Sequence, residues 1–570
     1  MKTSKTSNGM SFYKFSRFFQ NRGSSMAKPS GQIISKNFYK FLLVSLFILF
    51  GVLGLAKSSW AEMYYVDFQN GSDVNSGILT SAPWKHSPGD PRATANANII
   101  LSPGDTIVFK GGITYSFDSG ITDRITVNAS GLAGNLIVYR SGHLHSPQWG
   151  ISRAIIDGTN ADLDYATNFT GVVSLKNYSY IKIEGLQIQY APWVTYTGLI
   201  GWKGNSGGHI IINDVILRSN ISPPNTSTTA FVGILIQGEW NGFNPTDFII
   251  TNSQIYDIGG HGIFLRAGMD TVLVENNIIH DCGPNPAPYQ GDGIFIGAGG
   301  TAGPKNIIIR SNELYDFEEK GCVIIGGGNS ADCSNNADYS NNIIVEGNKC
   351  YEDNVTNNGF GYEICSGRNI TLRNNLAIGK TNGNWGGLYR AVNNAGEILD
   401  GLSFYNNTAI GCNAGVAFYI AGAGIHRNIY IKNNVVDMSS GVNCTKYFWI
   451  RNAIEGTFES DYNIFYGGDS VPLRWFDTRN TLAQWQSNYN QDMHSQIVNP
   501  SLNSDYRPDS LSDPPVDAGI DLSSTGFSND KDGVSRPQGA GWDIGAYEYV
   551  AASPPPDTTP PSAPTNVTII

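Results

Sequence analysis

The phrase "ENNIIHDCG", starting at Glu275, constrains this chain more than any other feature because it recurs. An Asn or its stand-in leads a short apolar pair in "NDVILRS" from 213, "TNSQIYDIG" from 251, "SNELYDF" from 311 and "GNKCYED" from 347. It does so again in "NNLAIGK" from 374, "NNTAIGC" from 406, "NNVVDMS" from 433 and "DYNIFYGG" from 461. Before each phrase stands a β-rich run such as "TVLVE", "NIIIR" or "NITLR", and after several comes a Gly-bounded run such as "GIFLRAG" or "GIFIGAG". Apolar and polar residues alternate in these runs, which is the period of a strand. Each unit therefore predicts three short strands. One unit cannot bury its apolar side, but stacked units share a continuous core. The expected fold is all-β: a right-handed parallel β-helix of about ten coils, stacked about 4.8 Å apart. The wandering interval argues against a propeller, and the Leu spacing of a leucine-rich repeat is missing. Asn suits the corners, because it tolerates left-handed backbone and its amide can bond along a stack.

The bulk composition agrees. Gly is abundant at 66 residues and charged residues are few at 15%, which favours turn-rich β structure. Residues 1–61 hold Lys and Arg but no Asp or Glu, and 41–56 are the apolar run "FLLVSLFILFGVLGLA". Ser59 and Ala61 follow at the spacing of a signal peptidase site, so 1–61 reads as a signal peptide, with Met26 an alternative start. The run is shorter than the roughly 20 residues of a spanning helix, so no stable membrane insertion is expected after cleavage. The expected destination is outside the cytoplasm: secreted, at the cell surface or in the periplasm. Without the nine basic residues of the leader, the chain has 28 Lys and Arg against 48 Asp and Glu, a net charge near −20. That excludes the basic face of a nucleic-acid binder. An acidic ligand would need its charge offset, for which a divalent cation is the usual device.

Residues 62–549 are expected to form the β-helix, with 467–535 an irregular stretch carrying one short helix before the last coil. Residues 550–570 are a Pro- and Thr-rich linker. Its end, "PSAPTNVTII", resembles the first strand of a fibronectin type III module. Cys322 and Cys350 fall on apolar faces and read as small core residues. A Cys333–Cys365 bridge is permitted by export. No Cys-His spacing suggests zinc, and no phosphate loop or dinucleotide fingerprint is present.

Stacking places equivalent residues of successive coils side by side. Four residues past each anchor, the column reads Asp257, Asp281, Asp316 and Glu352, preceded by Tyr256, His280, Tyr315 and Tyr351. A second column, just before the Gly-led runs, reads His261, Asp292 and Lys320, with Arg266, Glu318, Glu319, Glu363 and Arg390 nearby. Stacked carboxylates repel unless protonated or bridged by a cation, and oxygen-rich clusters suit calcium. The competing reading is that the acids cap corners by bonding backbone N–H groups. Trp193, Trp202, Trp240, Tyr190 and Tyr196 precede these coils, and Trp385 and Tyr389 follow, as candidate stacking surfaces for sugar rings.

The segments "YYVDFQNGSDVNSG" from 64, "APWK" from 82, "LSPGDTIVFKGG" from 101 and "GWDIGAYEY" from 541 give the chain a family resemblance. It resembles the secreted right-handed β-helix proteins of the pectate-lyase-like superfamily over roughly 62–550. That superfamily includes lyases, hydrolases, epimerases and non-enzymatic surface proteins, so fold does not fix activity. The resemblance implies a polysaccharide lyase acting on a uronic-acid polymer with calcium assistance. Family-nine pectate lyases, with calcium on clustered Asp and Lys as base, are the nearest mechanistic analogue. By that logic Asp281, Asp292, Asp316, Asp257 and Glu352 would hold Ca2+. Lys320, its pKa lowered by burial, or His261 would remove the proton, with Arg266 and His280 completing the catalytic set. Trp240, Trp385, Tyr389, Arg390 and Glu363 would hold the polysaccharide, and the protein would work as a monomer. Gly260-His261-Gly262 matches an element of β-helical polygalacturonases, but their paired Asp and Arg-Lys motifs are missing. A glycoside hydrolase, a uronan epimerase and an adhesin-like glycan-binding protein are the alternatives.

Overall fold

The computed structural model describes residues 61–551, apart from 119–123, 165, 167–169, 193, 195, 205–206, 220–230, 239–244, 267, 284–290, 298–302, 318–320, 327–339, 353–359, 380–387, 412–414 and 441–444. One coil shows the plan: strands Asp270–Glu275, Ile278–Cys282 and Ile294–Gly297 follow in turn, separated by corners. Strands at the same place in successive coils pair in parallel and build three sheets of thirteen strands each. We call these the first, second and third sheets, in the order a coil meets them. The third ends in an antiparallel pair, Leu473–Trp475 with Thr478–Asn480. The chain is thus an all-β right-handed parallel β-helix. It has more coils than the Asn phrases suggest, because early strands such as Met63–Val66 and Thr106–Phe109 join the first sheet without carrying the phrase.

Period two in sequence becomes in-register stacking. Val272 and Val274 sit under Ile307 and Ile309, which sit under Ile343 and Val345, then Ile370 and Leu372, all buried. Each such side chain contributes about 1.5–3 kcal/mol through burial. The intervening Ile308 and Arg310 are half-exposed on the outer face.

At the corner between the first two sheets the Asn pair divides its work. The first residue takes the left-handed conformation: φ is 55° at Asn276 and Ser311, 54° at Asn374, 50° at Asn406 and 57° at Asn433. The second forms a buried ladder through Asn277, Asn312, Asn348, Asn375, Asn407, Asn434 and Asn463. Each of the first six donates its backbone N–H (2.9–3.0 Å) and its Nδ2 (3.0–3.1 Å) to the Oδ1 of the next. The left-handed turn therefore belongs to the residue before the anchor, not to the anchor itself. Ser253 begins the ladder and Ser495 ends it. The expected short helix is Leu482–Tyr489, started by a Thr481–Gln484 capping box. Its buried Trp485 packs near Phe448 and Trp475 and donates to Asp492, whose other oxygen accepts from Asn463.

Two expectations need correction. Residues 541–549 form no further coil; they belong to a strap that runs back over the Asn corner. Asn374 donates to the Asn529 carbonyl (2.7 Å), Asn406 to Asp543 (2.8 Å) and Asn433 to Ile520 (2.8 Å). The fully buried Arg536–Glu548 pair (2.7 Å) holds the strap together. The reason is apolar: Leu376, Ile378 and Ile410 face outward on the second sheet and need a cover, which Ala546 and Tyr547 supply. Secondly, Cys322 and Cys350 are core residues, but they are also bridged, with Cα atoms 6.0 Å apart. Cys365 is disulfide-bonded too, and Cys333 lies outside the described residues.

Replacing Asn312 by Ala leaves buried N–H groups on Asn277 without acceptors. At about 1–3 kcal/mol per unsatisfied group, a clear fall in melting temperature is expected, whereas Asn341→Ala, at an exposed position outside the left-handed region, should change it little. His426 is fully buried, and that burial lowers its pKa to about 4. The unfolded chain binds a proton there below about 6.5 and the folded chain does not, so stability falls as pH drops from 6.5 to 4, by up to about 3 kcal/mol. Denaturant titrations of His426→Leu should lose this part of the pH slope.

Candidate functional site

The described members of the two ionisable columns lie where coils pass from the second sheet to the third. On the outer face of the second sheet, Tyr256, His280, Tyr315 and Tyr351 stack with centroids 4.6–5.1 Å apart and planes within 15°. One residue on, Asp257, Asp281 and Asp316 share the left-handed conformation, with φ of 53°, 50° and 55°. Gly411 takes it too, at 64°, so this column is selected by backbone geometry, for which short acids and Gly are suited. Asp257 and Asp281 are exposed, and Asp281 lies 2.6 Å from Nδ1 of its neighbour His280. Glu352 is different. Its burial, with the charge of Asp316 added, pushes its carboxyl up to about 7.

The second column meets the first across this turn. The Gly262 N–H donates to the Asp292 carbonyl (2.9 Å), which fixes His261 beside Asp292 in register. Nδ1 of His261 lies 3.0 Å from Oδ2 of Asp292, and both side chains are buried. The imidazole stacks on Phe295 (4.8 Å) and meets Phe264 edge-on (5.3 Å). These rings, with Val232, Leu235 and Ile324, form a small apolar cluster on the outer face of the third sheet. Arg266, also buried, lies 4.5 Å over the Tyr196 ring. Between the columns sits the buried thiol of Cys282. Its pKa is pushed well above the thiol range by burial first, and then by Asp281, Asp292 and Asp257.

The five expected calcium ligands nonetheless occupy different settings: left-handed corners, the His261 pair, and the half-buried Glu352. Among the described residues no three His, Cys, Asp or Glu side chains converge to hold a metal ion. As placed, they do not fit a calcium site. Lys320, Glu318, Glu319, Trp193, Trp240 and Trp385 lie outside the described residues.

Tyr389 does not face a substrate. It alternates into the core, stacked between Tyr362 (5.3 Å) and Phe418 (5.0 Å) and 1% exposed. Trp202 is likewise a core residue, its indole N–H donating to the Tyr178 carbonyl (2.9 Å). Glu363 and Arg390, by contrast, are register neighbours on the outer face, with Arg390 Nη1 3.6 Å from Glu363 Oε2.

That outer column continues through Tyr419, Trp449 and Arg474. Arg474 and Arg451 approach the Trp449 ring at 4.5 and 5.2 Å, and Arg451 donates to the Tyr419 hydroxyl (3.2 Å). Reading the sequence for ionisable columns missed this patch. Its signal was the outward register of "AFYIA", "YFWIR" and "LRW", which becomes visible only once strands are aligned. From the His261 strand to the Trp449 strand is six coil spacings, roughly 30 Å.

Residues 170–387 match the family model described as "Right handed beta helix region". The chain carries a right-handed β-helix region. Among solved structures it is similar to XylC in complex with xylose (12% identity, TM-score 0.42, covering 77% of this chain and 87% of that one). It is also similar to the pectate lyase Pel9A (16%, 0.39, 86% and 97%) and to PfbA, a surface adhesin of Streptococcus pneumoniae (12%, 0.40, 62% and 82%). No curated protein matches. At these identities and scores the likenesses carry no argument about what this β-helix does.

Glu352 gives a signed prediction. A carboxyl raised to about 7 in the folded state costs stability as pH rises from the ordinary carboxylate range through 7. Glu352→Gln should therefore raise the melting temperature at pH 8 and leave it unchanged at pH 4.

Proposed function

We propose that this protein is a secreted carbohydrate-active enzyme that cleaves an acidic, uronic-acid-containing polysaccharide by β-elimination along the outer face of the third sheet. The observation that carries the reading is the His261–Asp292 pair at one end of a face that continues into Arg390, Arg451, Arg474 and Trp449. In a chain with excess acid, cations gathered on one face beside a half-exposed aromatic suit an anionic sugar polymer.

The chemistry follows from the pair. Asp292 Oδ2 stands 3.0 Å from Nδ1 of His261 without closing a hydrogen bond in this structure; a small turn of the ring would make that bond and leave Nε2 as the base. When a cation neutralises the uronate carboxylate, the proton on the adjacent ring carbon becomes more acidic. Arg266, on the same strand as His261's own run, supplies that charge. His261 takes the proton, the C–H electron pair forms the ring double bond, the glycosidic C–O bond breaks, and the leaving oxygen takes up a proton. No step is routed through calcium, because the described acids do not converge on a cation site. The disulfides support export, since such bonds persist in oxidising compartments. Among the described residues no helix is long and apolar enough to cross a membrane.

Hydrolysis is the second reading, favoured by Glu352. A carboxyl that holds its proton near neutrality beside the acid Asp316 has the properties of a general acid next to a carboxylate.

The two are separated by incubating the protein with polygalacturonate, alginate and chondroitin, with and without chelator. Ultraviolet absorbance of an unsaturated product is expected, and His261→Ala should lower the rate at least about 100-fold. New reducing ends without that absorbance, abolished by Glu352→Gln, would replace elimination by hydrolysis. A rate lost on chelation would place a cation in the reaction, and no product of either kind would leave a glycan-binding protein.

A further inference from the structure

The strap over the Asn corner does not lie flat along its whole length. It is bonded to Asn374, Asn406 and Asn433, but over the two preceding coils it overhangs the rod. A crevice of about 880 Å3 opens there between corner residues 310–313 and 346–349 and the strap loop 526–533. A second space of about 470 Å3 runs beside it, between Tyr351 and residues 504–507. Lys349 lines both. Each volume lies in the range of small-ligand sites, roughly 300–1,000 Å3.

The floor of the crevice is a break in a pattern. In the left-handed column that reads Asn276, Ser311, Asn374 and Asn406, the remaining coil has Gly347, with φ of 64°. A Cβ there would stand 3.3 Å from the Lys531 carbonyl oxygen. Glycine thus lets the strap cross close to the backbone without a side chain rising into the gap.

The crevice lining carries four basic and four acidic side chains, so an acidic sugar would bind there by displacing an acid from its pair. Tyr351, Tyr506 and the largely buried Tyr547 line the smaller space, with the Tyr351 hydroxyl donating to Glu313 (3.0 Å). Lys349 stands 4.3 Å over the Tyr351 ring and Arg507 4.0 Å over Tyr547. Both cations are paired, Lys349 with Glu313 at 3.1 Å and Arg507 with Asp532, but all four side chains are more than a third exposed. Exposed pairs of this kind contribute little, so a sugar carboxylate can share or replace either partner.

We propose that this crevice is a second saccharide-binding site, which holds a uronic-acid-bearing chain on a different face of the rod from the His261–Asp292 pair. It rests on the acidic-polysaccharide reading above, and deepens it. A polymer bound there is retained near the third sheet without engaging the reacting bond, which raises its effective concentration.

The test is equilibrium binding to the otherwise intact protein in a His261→Ala background, where turnover is suppressed. The probes are hexamers of galacturonate and of mannuronate, with a neutral glucose hexamer as control. A uronate hexamer should bind and the neutral one should not. Lys349→Glu should weaken uronate binding at least tenfold, and Lys349→Arg should keep it. Lys349 is a surface residue, so both variants are expected to fold, and equal melting temperatures would check this. Unchanged affinity in Lys349→Glu, or equal binding of the neutral hexamer, overturns the crevice while leaving the third-sheet activity standing. Absence of uronate binding together with absence of uronate cleavage by the native protein overturns both.

Discussion

The buried Asn ladder is the interaction on which the rest depends. In the middle of the rod each coil contributes one side-chain amide that accepts a neighbour's backbone N–H and amide hydrogens while donating its own amide onward. Without it, the corner between the first two sheets would bury backbone N–H groups with no acceptor. The ladder also fixes register. Coils locked at one corner bring equal positions into line around the whole turn, so that apolar residues stack on apolar residues and ionisable ones form columns.

That register assembles the third-sheet face on which the proposed chemistry rests. His261 and Asp292 are 31 positions apart in the chain and touch because their strands are adjacent. Arg390 and Trp449 lie further along the same face for the same reason. The register also explains the isolation of the acid column at Asp257, Asp281 and Asp316. Its members are aligned, but Asp257 and Asp281 turn to solvent at the corner while Asp316 is half-buried, so alignment alone does not produce a cation site.

The strap shows a second consequence. Outward-facing Leu376, Ile378 and Ile410 would leave an apolar strip on the second sheet, and the C-terminal segment covers it. The left-handed Asn residues, whose side chains point away from the core, supply the hydrogen bonds that hold the cover in place. Where the strip ends, the cover overhangs, and that is where the crevice opens.

Several features were legible in the residues alone. The Asn phrases with period-two runs specify three strands per coil and a stacked core, because both signals are local and repeat. The same spacing places His261 next to Asp292, and the anchor offset aligns Tyr256, His280, Tyr315 and Tyr351. Other features depended on which way each side chain turns. Tyr389 and Arg390 are neighbours in sequence, yet one fills the core and the other faces outward, and composition does not distinguish them. Trp449 and its arginines became a patch only when separate strands were set in register. "GWDIGAYEY" reads like one more coil, but its apolar residues are used against the outside of coils already formed. Local pattern thus determined the repeat and its core, whereas the direction of each side chain and the path of the returning strap followed from contacts between segments far apart in the chain, which no local pattern encodes.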